Sequence, residues 1–309
     1  MNKFEQLLNL DRPIIIDGGL ATQLESMGFN IDGALWSAAL LESNPRAIID
    51  AHRAYLDAGA EIIISASYQA SRSGFVARGH SVEEADKLIA SAVDLALTAR
   101  EEYMADNPGA REPLVAASVG PYGATMQDGS EYTGKYQASV QELGEFHAQR
   151  LALLDGCGAD LLAVETIPNF NEARVLCDLL EEVKSPAWIS FACRDEKSLS
   201  DGSRLWAAAA LFADHSRVLA VGVNCTPPEF ITPLIAELRS AAPDKAIVVY
   251  PNSGETYHSE DSSWSGAACN LDEEFNVTDW YEAGAKLIGG CCRTGPADIA
   301  AILARVGSD

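Results

Sequence analysis

Leu287-Ile288-Gly289-Gly290-Cys291-Cys292-Arg293-Thr294-Gly295-Pro296 is the stretch on which the rest of the chain is read. It is a short apolar strand that runs into a glycine-rich turn carrying two adjacent cysteines. A helix is expected from Pro296, since proline suits an early helical position. Neighbours on a regular strand point to opposite faces, so two adjacent cysteines serve one site only if the chain bends. Gly289, Gly290 and Gly295 make that bend cheap.

Val221-Gly222-Val223-Asn224-Cys225 repeats the pattern upstream, again ending in cysteine before Thr226-Pro227-Pro228. Cys225, Cys291 and Cys292 thus stand at strand ends and can converge. Three thiolates with an open fourth position suit a catalytic zinc. Two other readings stand beside this one. Cysteine is often a small core hydrophobe, and an adjacent pair can be a redox pair. The spacing lacks the C-x-x-C regularity of a structural zinc motif.

Working outward, apolar strands alternate with amphipathic helices along the whole chain. Strands are expected at 13–17, 61–67, 114–119, 161–165, 187–193, a stretch ending at 225, 246–250 and a stretch ending at 291–292. Helices are expected near 45–58, 81–104, 135–155, 171–183, 203–215, 229–242, 278–283 and 296–305. Ser81 and Glu84 form a capping box at the second of these. Gly59-Ala60-Glu61, Gly158-Ala159-Asp160 and Gly284-Ala285-Lys286 look like punctuation, a helix stop followed by a strand. Continuous apolar strands fit a parallel sheet buried on both faces. The pattern predicts a single (β/α)8 TIM-type barrel domain over residues 1–309. No G-x-G-x-x-G turn follows the first strand to support a doubly wound sheet.

Hydrophobic residues make up 48% and charged residues 22% of the 309, an ordinary composition able to bury a large core. The formal charge of −23 argues against nucleic acid and anionic membranes as partners. The seven cysteines are odd in number, and the polar, acidic N-terminus does not read as a signal peptide. A cytoplasmic protein with reduced thiols is expected.

In a barrel of this kind, chemistry sits at the carboxyl ends of strands. There the chain places Asp17, Ser67-Tyr68, Tyr122, Glu165-Thr166, Asn224-Cys225, Asn252-Ser253 and Cys291-Cys292. Singly, Asp17 could be a turn cap and Glu165 an ion-pair partner. Together, carboxylates ending apolar strands must be hydrogen-bonded or paired to tolerate burial. The five histidines show no metal-ligand spacing and read as packed or solvated. There is no G-x-S-x-G elbow and no Walker A loop.

Six segments carry a resemblance: Asp17-Gly18-Gly19-Leu20-Ala21-Thr22-Gln23-Leu24, Ser118-Val119-Gly120-Pro121-Tyr122-Gly123, Glu165-Thr166-Ile167-Pro168-Asn169, Gly222-Val223-Asn224-Cys225, Tyr250-Pro251-Asn252-Ser253-Gly254-Glu255 and Gly289-Gly290-Cys291-Cys292-Arg293-Thr294. Together they resemble the homocysteine S-methyltransferases, nearly end to end, and most closely the bacterial enzymes that use S-methylmethionine. The resemblance implies Zn2+ held by Cys225, Cys291 and Cys292. It implies Asp17 and Glu165 on the homocysteine amino group, with Gly18, Thr166, Asn252 and Ser253 helping to seat the amino acid. It also implies L-homocysteine and a methylsulfonium donor as partners, with S-adenosylmethionine as a second candidate donor. The longer C-terminal arm of the betaine-using relatives is absent, which argues against betaine.

The chemistry suits these groups. A free thiol titrates near 8.5, so little is thiolate at neutral pH, and zinc binding deprotonates it. Three cysteinates keep the centre anionic and the fourth sulfur electron-rich. Tyr68, Tyr122 or a tryptophan of the loop after strand seven would contact a sulfonium by cation–π attraction, worth about 0.5–2 kcal/mol. The readings from other classes are a vicinal-cysteine thiol redox protein and a non-catalytic amino-acid-binding barrel.

Overall fold

In the computed structural model the apolar stretches form one eight-stranded parallel sheet. Its strands are β1 (Ile14–Ile15), β2 (Ile62–Ile64), β3 (Leu114–Val119), β4 (Leu161–Ile167), β5 (Ala187–Phe191), β6 (Val218–Asn224), β7 (Ala246–Tyr250) and β8 (Ala285–Ile288). The structure describes residues 1–30, 36–126, 128–258, 263–265 and 275–307. Cys269 and the side chain of Trp264, the tryptophan offered as a sulfonium contact, lie outside what is described.

Each strand pairs with its neighbours in sequence, and β8 pairs with β1. β1 and β2 then meet. Ile16 bridges Ile62 in parallel, Asp17 N donates to Ile62 O at 3.0 Å, and Glu61 N donates to Ile15 O at 2.8 Å. The sheet is therefore the expected (β/α)8 barrel.

The period-2 alternation of strands sorts the core into two layers. Ile14, Ile16, Ile62, Leu114, Ala116, Leu161, Ala163, Trp188, Ala220, Val248 and Leu287 fill the barrel interior. Their alternates, such as Ile15, Ile63, Val115, Leu162, Ile189, Val221, Val249 and Ile288, pack outward under the helices. A short helix at Lys3–Leu8, capped by an Asn2–Glu5 capping box, presses Phe4 and Leu7 into the interior layer. The N-terminal end of the barrel is thereby plugged, and the mouth lies at the strand C-termini.

The outer helices include Pro45–Asp57, Val82–Asp106, Val140–Leu154, Phe170–Leu180, Ile231–Ala241, Val277–Ala283 and Pro296–Val306. The Ser81–Glu84 capping box forms. Gly59, Gly158 and Gly284 all take left-handed backbone (φ 97°, 83° and 114°); Gly59 and Gly284 end their helices as the punctuation predicts, while Gly158 closes the turn that follows the helix end at Leu154. Two helices are shorter than expected. The one predicted from 135 starts at Val140, because Ser139 and Glu142 build a capping box there. The one predicted over 203–215 is regular only over Leu205–Ala210. Short helices also form at Leu20–Ser26, Arg72–Ala77 and Ser130–Thr133, where the sequence pattern predicts none.

Candidate metal centre and amino-acid pocket

β6 delivers Cys225 to the mouth, and the turn after β8 delivers Cys291 and Cys292. Cys225 has left-handed backbone (φ 47°), as does Arg293 (φ 66°). Non-glycine residues adopt this conformation at a cost of about 1–2 kcal/mol. These turns are locked by the backbone. Cys225 N donates to Tyr250 O at 3.1 Å, Cys291 N to Pro251 O at 2.8 Å, and Ser253 N to Cys292 O at 3.1 Å. The β1 loop closes against the same turn. A Cβ on Gly19 would lie 2.6 Å from Cys291 O, so this position admits glycine alone.

The result is a cluster of three sulfurs, all within 4.8 Å of one another. Cys225 Sγ is 3.5 Å from Cys292 Sγ, and Cys291 Sγ is 4.0 Å from it. Tetrahedral zinc with Zn–S bonds of about 2.3 Å requires sulfurs about 3.8 Å apart. The donor set fits such an ion in both spacing and softness. All three are free thiols rather than disulfide partners. Their proton affinities diverge. Hydrogen bonds to Cys291 and Cys292, with burial, push Cys225 well above the usual thiol range. The same contacts hold Cys292 well below it, helped by the Tyr132 hydroxyl, which hydrogen-bonds its sulfur.

A cavity of about 120 Å³ opens beside the sulfurs. Gly18, Glu165, Thr166, Tyr68, Tyr132 and the three cysteines are among its lining residues. Asp17 lies just behind Gly18, only 1% exposed. Its Oδ2 accepts from Ile64 N at 2.7 Å, while Oδ1 is buried without a partner. Burial raises its pKa well above the carboxylate range, and the nearby Glu165 adds to this. Burial likewise pushes Glu165 up to about 7, against hydrogen bonds from Ser118 and Tyr250 that favour its anion. Two buried carboxyls with spare acceptor capacity form a site that a cation would complete.

Glu165 and Thr166 both reach the cavity because β4 is irregular. Its pairing with β5 shifts between Val164 and Ile167, and Thr166 is left-handed (φ 62°). Asn224 holds this bulge. Its Oδ1 accepts from Thr166 N at 2.8 Å and from Ser190 Oγ at 2.8 Å, and its Nδ2 donates to Thr166 Oγ1 at 2.7 Å.

Asn252 and Ser253 are buried but do not line the cavity. Asn252 Oδ1 accepts from Gly254 N at 2.9 Å, and Ser253 Oγ donates to Glu255 Oε2 at 2.8 Å. They shape the turn that holds Cys292. Of the candidate aromatics, Tyr68 lines the cavity and Tyr122 does not. Tyr122 packs on Tyr136 and Phe146 instead, with ring centroids 5.7 and 5.2 Å away. The buried His147 has Nε2 2.6 Å from Glu172 Oε1, a packed histidine as expected.

Sequence reading missed Tyr132, which lines the cavity. It sits on a one-turn helix framed by left-handed Gly129 and Gly134. The Gly-Ser-Glu-Tyr-Thr-Gly framing was the only signal, and it looks like an ordinary polar loop.

Fold and site together define a (β/α)8 barrel with a three-thiol centre at its mouth. Residues 14–306 match the sequence profile of the family described as homocysteine S-methyltransferase. The chain is 45% identical over 308 residues to homocysteine S-methyltransferase YbgG of Bacillus subtilis, covering 98% of each chain. It is 46% identical over 307 residues to the homocysteine S-methyltransferase of Escherichia coli, again covering 98% of each. The metallated form of the homocysteine methyltransferase MmuM from Escherichia coli superposes with a TM-score of 0.88 at 44% identity. That match covers 98% of this chain and 100% of the other. The chain belongs to the homocysteine S-methyltransferase family and is a methyltransferase. The thiol redox reading is not favoured. No helix among the described residues is long and apolar enough to cross a membrane.

Proposed function

We propose that this chain, as one barrel domain in the cytoplasm, transfers a methyl group from S-methylmethionine to L-homocysteine, giving two molecules of methionine. S-adenosylmethionine is the second donor to test. Cys225, Cys291 and Cys292 would hold zinc, and zinc would supply deprotonation of the homocysteine thiol at neutral pH. The single observation that carries this reading is the sulfur trio beside two buried carboxyls, Glu165 and the half-satisfied Asp17.

The residues divide the work. The Glu165 carboxylate at the cavity wall receives the homocysteine ammonium, with Asp17 Oδ1 behind Gly18 as its second acceptor. Gly18 and Thr166 bound the space its backbone occupies, and Asn252 and Ser253 hold the turn under Cys292. The donor carries a permanent positive charge that is lost as its methyl departs, so its leaving group is a neutral thioether. The reaction therefore needs no general acid. What the barrel supplies is alignment of sulfur, methyl and leaving sulfur, which can lower a barrier by several kcal/mol. The Tyr68 ring, which lines the cavity, would contact the sulfonium by cation–π attraction.

The test is metal analysis together with a methionine-formation assay for each donor. Cys225→Ser, Cys291→Ser and Cys292→Ser are each expected to lower zinc content and activity together. Full activity in metal-free protein would refute the reading.

A further inference from the structure

Tyr68 lines the cavity beside the sulfurs but stands past the end of β2. The β2–β3 ladder ends with Ile64 against Ala116, and one further bond runs from Ser65 N to Ala116 O at 2.9 Å. Beyond it side chains join the two strand ends. Ser67 Oγ donates to Ser118 O at 2.7 Å, and Ser118 N donates to Ser65 Oγ at 3.2 Å. The last tie is Arg150, on the helix Val140–Leu154 and only 3% exposed. A buried guanidinium has to be hydrogen-bonded or paired. This one donates through Nη1 to Gly120 O at 2.8 Å, and through Nη2 to Ser67 O at 3.0 Å and Tyr68 O at 2.9 Å. Its Cζ lies 5.1 Å from the centre of the Phe146 ring, which supports the planar fork. Gly120 meets the same tyrosine from the end of β3. A Cβ there would lie 2.5 Å from Tyr68 O, and 2.7 and 2.8 Å from the ring atoms Cδ2 and Cε2. Tyr68 is thus seated on a bare glycine and pinned at its carbonyl by a buried cation.

We infer that Arg150 is a positioning residue for methyl-donor binding: by holding the carbonyls of Ser67, Tyr68 and Gly120 together, it keeps the Tyr68 ring in the cavity against the donor's sulfonium. This rests on the methyl-transfer reading and gives the buried cation a part in it. The donor's charge is lost as its methyl departs, so the ring contact is stronger before transfer than during it. Its loss therefore shows in the donor KM more than in kcat.

The experiment measures KM for S-methylmethionine and for homocysteine in the zinc-loaded wild type, Arg150→Lys, Tyr68→Leu and the double variant. Lysine keeps the charge but has no planar fork to span three carbonyls. Arg150→Lys and Tyr68→Leu are each expected to raise the donor KM by about 5- to 30-fold, the factor of a desolvated cation–π contact. The homocysteine KM and the zinc content should stay unchanged, and the double variant should match Tyr68→Leu alone. Gly120→Ala, which displaces the same tyrosine with Arg150 intact, should reproduce the donor effect. A donor KM and a homocysteine KM that rise by the same factor in Arg150→Lys would mark a purely structural role and overturn the inference. So would effects that multiply in the double variant, or a wild-type donor KM in Arg150→Lys or Gly120→Ala. A wild-type donor KM in Tyr68→Leu would overturn it too, while methyl transfer itself stands. Absence of methionine from every sulfonium donor in the wild type would instead sink the functional reading, and this inference with it.

Discussion

At the scale of single residues, the pocket is defined by charge that burial has left incomplete. Glu165 titrates near 7, against an ordinary value near 4.5, because desolvation disfavours its anion. The sign follows directly. A carboxyl whose folded pKa is raised stabilises the ligand-free fold below its unfolded value, and that contribution is lost as pH rises through the folded value. An ammonium ligand prefers the anion. Homocysteine affinity should therefore weaken as pH falls from about 8 to 6. Glu165→Gln should bind more weakly at pH 8 and lose the part of this pH dependence that belongs to the carboxyl. Asp17→Asn should also weaken homocysteine binding while metal is retained. Isothermal titration across pH, with metal content measured in parallel, checks all three statements. Unchanged affinity in both variants would remove the carboxylates from the acceptor site.

At the scale of elements, the informative feature is the break in β4. In a regular strand Glu165 and Thr166 would face opposite ways. The shifted register and the left-handed Thr166 bring both to the cavity. Asn224 bonds Thr166 at both its amide and its hydroxyl and immediately precedes Cys225, so the acceptor pocket and the sulfur cluster share one clamp. Asn224→Ala would strand a buried N–H and leave the left-handed backbone unsupported. The expected cost is about 1–3 kcal/mol in urea unfolding, with a raised homocysteine KM. A variant with unchanged stability and KM would show that the bulge holds itself.

At the scale of the whole molecule, the barrel is closed at one end and open at the other. Phe4 is fully buried and packs on Trp188, ring centroids 6.1 Å apart. Trp188 Nε1 donates to Tyr250 OH at 3.1 Å, and Tyr250 in turn reaches Glu165. The plug thus continues into the floor of the pocket. Phe4→Ala should cost about 3–5 kcal/mol by opening a cavity there. Thermal or urea unfolding would measure this, and the sulfur cluster, which Phe4 does not touch, should keep its metal.

The sequence by itself determined the barrel, through eight apolar strands punctuated by Gly59, Gly158 and Gly284, and the sulfur trio, through cysteines at two strand ends. Both signals are local, since a strand's period and its terminal residue are written in consecutive positions. Motif resemblance supplied Asp17 and Glu165 as the acceptor's partners. Only the tertiary structure decided the rest. It put Tyr68 in the cavity and Tyr122 outside it, and gave Asn252 and Ser253 to the turn under Cys292. It also brought Tyr132, on a single turn in a polar loop, against a sulfur at position 292. Those choices depend on how loops from different strands meet over one mouth. Loop packing is set by contacts between distant residues, such as Gly123 against Glu131 and Gly19 against Cys291, which no local pattern encodes.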